Sequence, residues 1–97
     1  MTSRRRLKKE IDYVVSDLII DSITYTNLYQ KPNDKDALQI VQDTLALRHK
    51  LRDEANHPEK KGKSGTVKSY YDNIAKCLMD GVDEGYAKLG KMVNKDQ

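Results

Sequence analysis

Five positive charges stand within six residues near the start of the chain, in the stretch SRRRLKKEI. The residues are Arg4, Arg5, Arg6, Lys8 and Lys9. Guanidinium and ammonium groups at this density bind phosphates or carboxylates, and on a nucleic acid they gain affinity by releasing counterions. The stretch is therefore the first candidate for a binding site.

This cluster is the source of the net charge of +3, because elsewhere 13 basic residues are outnumbered by 15 acidic ones. A second group of lysines, Lys60, Lys61 and Lys63, lies in HPEKKGKSGT, whose proline, glycines and serine predict a loop. A nucleic acid or an acidic protein is the partner that these charges favour. The structural alternative is that nearby carboxylates offset the field and leave a solvated surface. These carboxylates belong to Glu10, Asp12, Asp53, Glu54 and Glu59.

Candidate catalytic and metal-binding residues are few. His49, Asp53 and His57 are spaced by four, which sets two imidazoles and a carboxylate along one helix face. No fourth ligand is evident, so an ion pair between Asp53 and a lysine or arginine is favoured. Asp83 and Glu84 are adjacent and point to different sides of a helix, so they do not form an acid/base pair. We predict no metal, no cofactor and no enzymatic activity.

Cys77 is the only cysteine, which excludes an intrachain disulfide and favours a reducing, cytoplasmic setting. Its place in a helical pattern predicts a small buried or half-buried hydrophobe rather than a reactive thiol. The basic start is followed by IDYVVSDLIIDSI, where Asp12, Asp17 and Asp21 interrupt the apolar run. These carboxylates argue against a signal peptide and a transmembrane helix, so we expect no membrane association.

Apolar residues spaced by three and four predict helices over 3–29, 34–56 and 66–93. The expected core of the first is Leu7, Ile11, Val14, Val15, Leu18, Ile19, Ser22, Tyr25 and Tyr29. That of the second is Ala37, Leu38, Val41, Leu45, Leu47, Leu51 and Ala55. That of the third is Val67, Tyr71, Ile74, Leu78, Gly81 or Val82, Gly85, Leu89 and Met92. A single domain over 1–97, an all-α antiparallel up-down-up three-helix bundle, is the simplest fold for such a pattern.

The up-down-up path brings the start of the first helix and the HPEKKGKSGT loop to the same end of the bundle. The two basic clusters are therefore expected to meet in space. Tyr13 and Tyr70 lie near the same end and offer rings for base stacking, whereas the spacing of Tyr71 assigns it to the core. Together these residues favour a non-enzymatic binding module that contacts an anionic partner such as nucleic acid.

Self-association is the alternative function. Tyr13 and Ile20, seven residues apart, project away from the apolar stripe of the first helix, and such strips serve as helix-to-helix contacts. A homodimer through this strip or through the third helix is therefore a second prediction. Gly81 and Gly85, one turn apart on the third helix, predict the close approach of a neighbouring helix or a bulky side chain.

Two resemblances accompany these patterns. The stretch RLKKEIDYVVSDLIIDSI is similar to the first helix of the all-helical chorismate mutases, but no lysine or arginine lies between Lys9 and Lys31, where that family places a substrate-binding cation. SRRRLKKEI, HPE with VKSYY, and LGKM together resemble a group of short, uncharacterised bacterial proteins over nearly the whole chain. This second resemblance implies a compact all-helical protein without a catalytic residue. KKGKSG stands where a shorter turn of proline and glycine is expected.

Overall fold

The structure, a computed structural model, is an all-α bundle of three long helices. It describes residues 4–30, 34–61 and 65–96, with the backbone alone at 60, 61, 95 and 96. The helices are α1 (Arg4–Leu28), α2 (Lys35–Asn56) and α3 (Val67–Asp96), and a short 3₁₀ helix (Pro58–Lys61) follows α2. The described residues contain no strand. The predicted fold class is confirmed.

Contacts between the helices establish the up-down-up path. Lys8 at the start of α1 bonds Asn56 at the end of α2, so these two helices are antiparallel. Arg4 reaches Tyr71 near the start of α3, so α1 and α3 run in the same direction. The bundle measures 50 × 20 × 19 Å. The longest helix, α3, continues to Asp96, three residues past its expected end.

Local hydrogen bonds set the helix ends between α1 and α2. Beyond α1 the backbone turns through Gln30, whose φ of 54° is the left-handed conformation common after a helix. Asp34 caps α2, because its carboxylate accepts from the backbone N–H groups of Asp36 and Ala37 at 2.9 and 3.1 Å. Asp34 is also the residue at which the sequence predicted this helix to begin. Ser3, where the first helix was predicted to begin, lies outside the described residues.

The predicted core is right for α1 and partly wrong for α2. Leu7, Ile11, Val15 and Leu18 of α1 are almost completely buried, as their spacing predicted. On α2 the buried residues are Ala37, Ile40, Thr44, Leu51 and Ala55, while the predicted core residues Leu38 and Leu45 are each 48% exposed. The core therefore combines small and large side chains of α2 and leaves two leucines exposed at its surface.

Two further core predictions fail on α3. Cys77 is exposed rather than buried or half-buried. Ile74 and Leu78 belong to the side of α3 that faces the core, and Cys77 lies next to that side rather than on it. Val67 opens the helix and is 43% exposed. The rest of the expected line is confirmed: Tyr71, Ile74, Leu78, Val82 and Leu89 are buried.

Two glycines of α3 receive leucines from the other helices. A Cβ atom at Gly85 would lie 2.5 Å from Cδ2 of Leu18, and one at Gly81 would lie 2.6 Å from Cδ2 of Leu47. Real Cβ atoms do not approach other carbons so closely, so a side chain at either position would displace the leucine that packs there. The predicted close approach is confirmed, and it comes from α1 at Gly85 and from α2 at Gly81.

Tyr86 of α3 and Asp21 of α1 form a polar link between the two parallel helices. The Tyr86 hydroxyl donates to Asp21 Oδ2 at 2.8 Å. Partial burial, then this hydrogen bond and the charges of Asp21 and Asp17, raise the pKa of Tyr86 from 10 to about 12. The neutral phenol is therefore the form that the folded state favours.

Replacing the glycines tests the packing of α3. Gly85→Ala should lower the free energy of unfolding by about 1–2 kcal/mol, because displacing the buried Leu18 costs more than the helix propensity gained. Gly90→Ala is the matched control, since nothing lies within 4 Å of its added Cβ. The control should stabilise the protein by about 0.5–1 kcal/mol in urea unfolding. Equal gains from both substitutions would contradict the packing described.

Alkaline unfolding tests the Tyr86 link. Because the pKa of Tyr86 is raised in the folded state, its contribution is complete below pH 10 and is lost as pH rises through about 12. Tyr86→Phe should therefore lower the free energy of unfolding by about 0.5–1 kcal/mol at pH 7. The difference in this free energy between the variant and the natural protein should disappear as the pH rises from 10 to about 12. Urea unfolding of both proteins at each pH measures this difference. A difference in unfolding free energy that stays constant to pH 12 would show that the phenol does not titrate as a hydrogen-bonded group.

Candidate anion-binding surface

The predicted basic cluster lies on an anchored part of α1. Leu7 stands in the middle of the cluster and is fully buried, as is Ile11 one turn later. Arg4, Arg5, Arg6 and Lys9 are exposed, and Lys8 is half-buried. Since the helix here is held by its apolar side, the backbone that carries the cations is already fixed before a ligand binds. This limits the conformational entropy lost when they bind a ligand.

Arg4 joins all three helices at this end of the bundle. Its Nε donates to the Tyr71 hydroxyl at 3.5 Å, and that hydroxyl donates to the backbone carbonyl of Ala55 at 3.5 Å. Tyr71 itself is buried, as predicted. Both hydrogen bonds are long and correspondingly weak, so they orient the guanidinium without neutralising its charge.

Two arginines of α2 belong to this surface and were not singled out in the sequence. Arg48 Nε and Arg52 Nη1 donate to the two carboxylate oxygens of Asp12 on α1, at 2.9 and 2.6 Å. The only available signal was their spacing of four on a helix, opposite a carboxylate on the neighbouring antiparallel helix. That signal requires the register of α1 against α2, which the sequence alone does not supply.

The cations of α1 and α2 border a shared depression that is open to solvent, with a volume of about 580 Å³. It is lined by Arg4, Arg5, Lys8, Lys9, Asp12 and Arg52. Asp12 is the one carboxylate in this lining, and it already accepts from two guanidinium groups. The basic depression, as we call it, therefore presents a positive field to any ligand that enters.

The predicted second cluster lies at the same end of the bundle but on other helices. The 3₁₀ helix with the backbone of Lys60 and Lys61 packs against α2 and α3, and none of its Cα atoms lies within 8 Å of a Cα atom of α1 in the described chain. Lys63 lies outside the described residues. A single combined patch of all eight cations therefore stays a prediction.

Three of the carboxylates expected to offset the basic field lie next to partner side chains. Asp12 pairs with the two arginines of α2. Carboxylate oxygens of Asp53 and Glu59 lie 3.6 Å from Nε2 and 2.9 Å from Nδ1 of His57. His57 stands just beyond the last residue of α2, as predicted, where its backbone N–H caps the helix. Within the described residues, no cluster of three or more histidine, cysteine or acidic side chains is placed to hold a metal ion.

Tyr13 and Ile20 are both exposed, at 72% and 58%. Their predicted projection away from the core is confirmed, whereas a dimer contact through them stays a prediction. Tyr13 borders a shallow second depression together with Lys9, Asp12, Ser16 and Asp17. Since Lys9 and Asp12 line both depressions, the exposed aromatic ring adjoins the basic one.

Comparison of the chain with protein-family models, with curated proteins and with solved structures found no match. Among the described helices, none is both long enough and apolar enough to span a membrane.

The Asp12 ion pairs should contribute measurably to stability. Asp12→Asn keeps the shape of the side chain but removes its charge, and we expect a loss of about 0.5–1.5 kcal/mol because the pairs are only partly exposed. Urea unfolding measures the loss, which should shrink at high salt. Asp80→Asn is the control, since no described side chain pairs with this exposed α3 carboxylate. Equal effects of the two substitutions would show that Asp12 adds nothing beyond net charge.

Proposed function

We propose that this protein is a non-enzymatic binding module that holds the phosphates of a nucleic acid in the basic depression. The observation that carries the proposal is the lining of that depression: five cationic side chains and one carboxylate, with the carboxylate already paired. Phosphate oxygens accept hydrogen bonds from arginine and lysine, and their contact releases counterions from the nucleic acid.

Single-stranded nucleic acid is the form that suits the surface best. An open depression accommodates an extended backbone, and the ring of Tyr13 stands beside it for an unpaired base to stack upon. In duplex DNA the bases already stack on one another, so an aromatic ring beside the backbone gains little. The carboxylates of an acidic protein offer similar charge but no planar base for Tyr13.

A non-enzymatic role agrees with the chemistry of these groups. General acid or base catalysis requires a group that exchanges a proton with the substrate. Asp12 accepts hydrogen bonds from two guanidinium groups, and the other side chains of the depression belong to arginine and lysine. The arrangement suits electrostatic binding. A cytoplasmic location, favoured by the single cysteine, would give such a module access to nucleic acid.

Binding to a fluorescein-labelled oligothymidylate at two salt concentrations tests the proposal. Fluorescence anisotropy should show binding that weakens steeply with salt. The double variant Arg5→Gln and Lys9→Gln should weaken binding about tenfold or more at low salt and reduce the salt slope by about 1.4, since each lost phosphate contact removes about 0.7 on a single strand. Arg4 is left intact because it also contacts Tyr71.

Lys35→Gln and Lys91→Gln together form the matched control. They remove the same charge from exposed positions toward the opposite end of the bundle, so binding should change little. Thermal unfolding followed by circular dichroism verifies that both double variants are folded. Binding that is insensitive to salt, or equal losses in the two variants, would overturn the proposal.

A further inference from the structure

The second depression adjoins the basic depression and is lined by residues of α1. These residues are Lys9, Asp12, Tyr13, Ser16 and Asp17, and the volume is about 500 Å³. Such a volume lies within the range of sites that hold small ligands. Because Lys9 and Asp12 also line the basic depression, the two depressions form one continuous surface. Its first part carries cations, and its second part carries an aromatic ring with exposed polar groups.

The spacing of these residues orders three kinds of group along α1. Lys9, Tyr13 and Asp17 are four residues apart, so they lie on one face of the helix at successive turns, about 6 Å apart along its axis. Ser16, three residues after Tyr13, is a second neighbour of the ring on that face. A cation, an aromatic ring and a carboxylate therefore follow one another in the direction away from the basic end.

The ring and the carboxylate of the second depression are both accessible to a ligand. Tyr13 is 72% exposed, and Ser16 and Asp17 are exposed as well. Asp17 makes no hydrogen bond or ion pair within the described residues. Its neighbours on α1 differ, because Asp12 accepts from two arginines and Asp21 accepts from a tyrosine of α3. Asp17 therefore keeps its acceptor positions open where the others do not.

A carboxylate discriminates among nucleic-acid bases by the donors on the edge of the base. It has two acceptor oxygens and no donor. Guanine carries two adjacent donors on its Watson–Crick edge, N1–H and the 2-amino group, so it bonds both oxygens at once. Adenine and cytosine offer an amino donor beside a ring nitrogen that is itself an acceptor, and thymine offers one N–H between two carbonyl oxygens. Each of these three bases would set a lone pair against the second carboxylate oxygen.

We propose that the second depression is a guanine subsite for a single-stranded nucleic acid, an assignment that rests on the proposed function of the basic depression. The base stacks on Tyr13, its N1–H and 2-amino groups donate to the Asp17 carboxylate, and the Ser16 hydroxyl donates to O6. The phosphate of the same nucleotide lies at Lys9, one turn back. Since Asp17 repels phosphate, the backbone stays in the basic depression and the edge of the base alone reaches this turn.

Fluorescence anisotropy with short alternating strands in lithium buffer, which suppresses guanine quadruplexes, tests the subsite. A thymidine–guanosine strand should bind about threefold tighter than a thymidine–cytidine strand of equal length. A bidentate pair at an exposed site gives a preference of about fivefold, and only half of the binding registers set guanine on the ring. A thymidine–inosine strand, whose base lacks the 2-amino group, should lose most of this advantage. Equal binding of the guanosine and inosine strands would contradict the pairing with the carboxylate.

Three single variants separate recognition of the base from general affinity. Asp17→Asn should abolish the guanine preference, because an amide offers one acceptor group and one donor group. Glu10→Gln is the matched control, since it also converts an exposed α1 carboxylate into an amide near the basic end and should keep the preference. Tyr13→Ala should weaken binding of all strands about fivefold, whereas Tyr13→Phe retains the stacking face and should not.

Salt dependence distinguishes failure of this proposal from failure of nucleic-acid binding itself. If all strands bind equally and weaken with salt, the basic depression stands as the binding site and the guanine subsite is overturned. If no strand shows salt-sensitive binding, both proposals fall. A guanine preference that survives in Asp17→Asn as fully as in Glu10→Gln would also overturn the subsite, because the base would then be recognised elsewhere.

Discussion

The packing of two leucines against two glycines determines how the third helix lies against the other two. Leu18 of α1 fills the space above Gly85, and Leu47 of α2 fills the space above Gly81, one turn away. Two contacts from different helices at neighbouring turns fix both the rotation and the axial position of α3. That position brings Tyr86 to Asp21, and it sets Tyr71 beneath Arg4. The orientation of the basic end therefore depends on side chains about 20 Å away from it.

Charge on the α1–α2 face is divided between structure and binding. Arg48 and Arg52 are engaged by Asp12, so part of the positive charge at this end holds the two helices in register. Arg5 and Lys9 have no partner among the described side chains and are left to a ligand. One carboxylate thus separates the cations that hold the fold from those that are available outside it.

Helix number, path and the core of α1 could be predicted because α1 carries one dominant apolar stripe. On α2 two stripes compete, one with Leu38 and Leu45 and one with Ala37, Ile40 and Thr44. The first stripe is the more hydrophobic, but the second packs inward, where the small side chains of Ala37 and Thr44 beside Ile40 allow the helices to approach closely. Thr44 tolerates burial since its hydroxyl donates to the Ile40 carbonyl at 2.6 Å. The spacing of apolar residues does not reveal that a buried hydroxyl can bond a carbonyl of its own helix.

The candidate site was predictable in part for a related reason. A dense run of cations is visible in the sequence, so the α1 half of the basic depression was identified. Arg52 was missed because its role depends on which α2 residue stands level with Asp12, and register between helices is decided by packing. The exposure of Cys77 was misjudged on similar grounds, since one residue of rotation separates it from the buried Leu78.

The up-down-up path also orders events in time. Helices α1 and α2 are neighbours along the chain and close only a short loop when they pair, whereas the contact of Tyr86 with Asp21 spans 65 residues. We therefore expect an α1–α2 hairpin to form early in folding and α3 to dock onto its leucines late. A larger side chain in place of Gly81 or Gly85 would then speed unfolding while leaving the folding rate nearly unchanged.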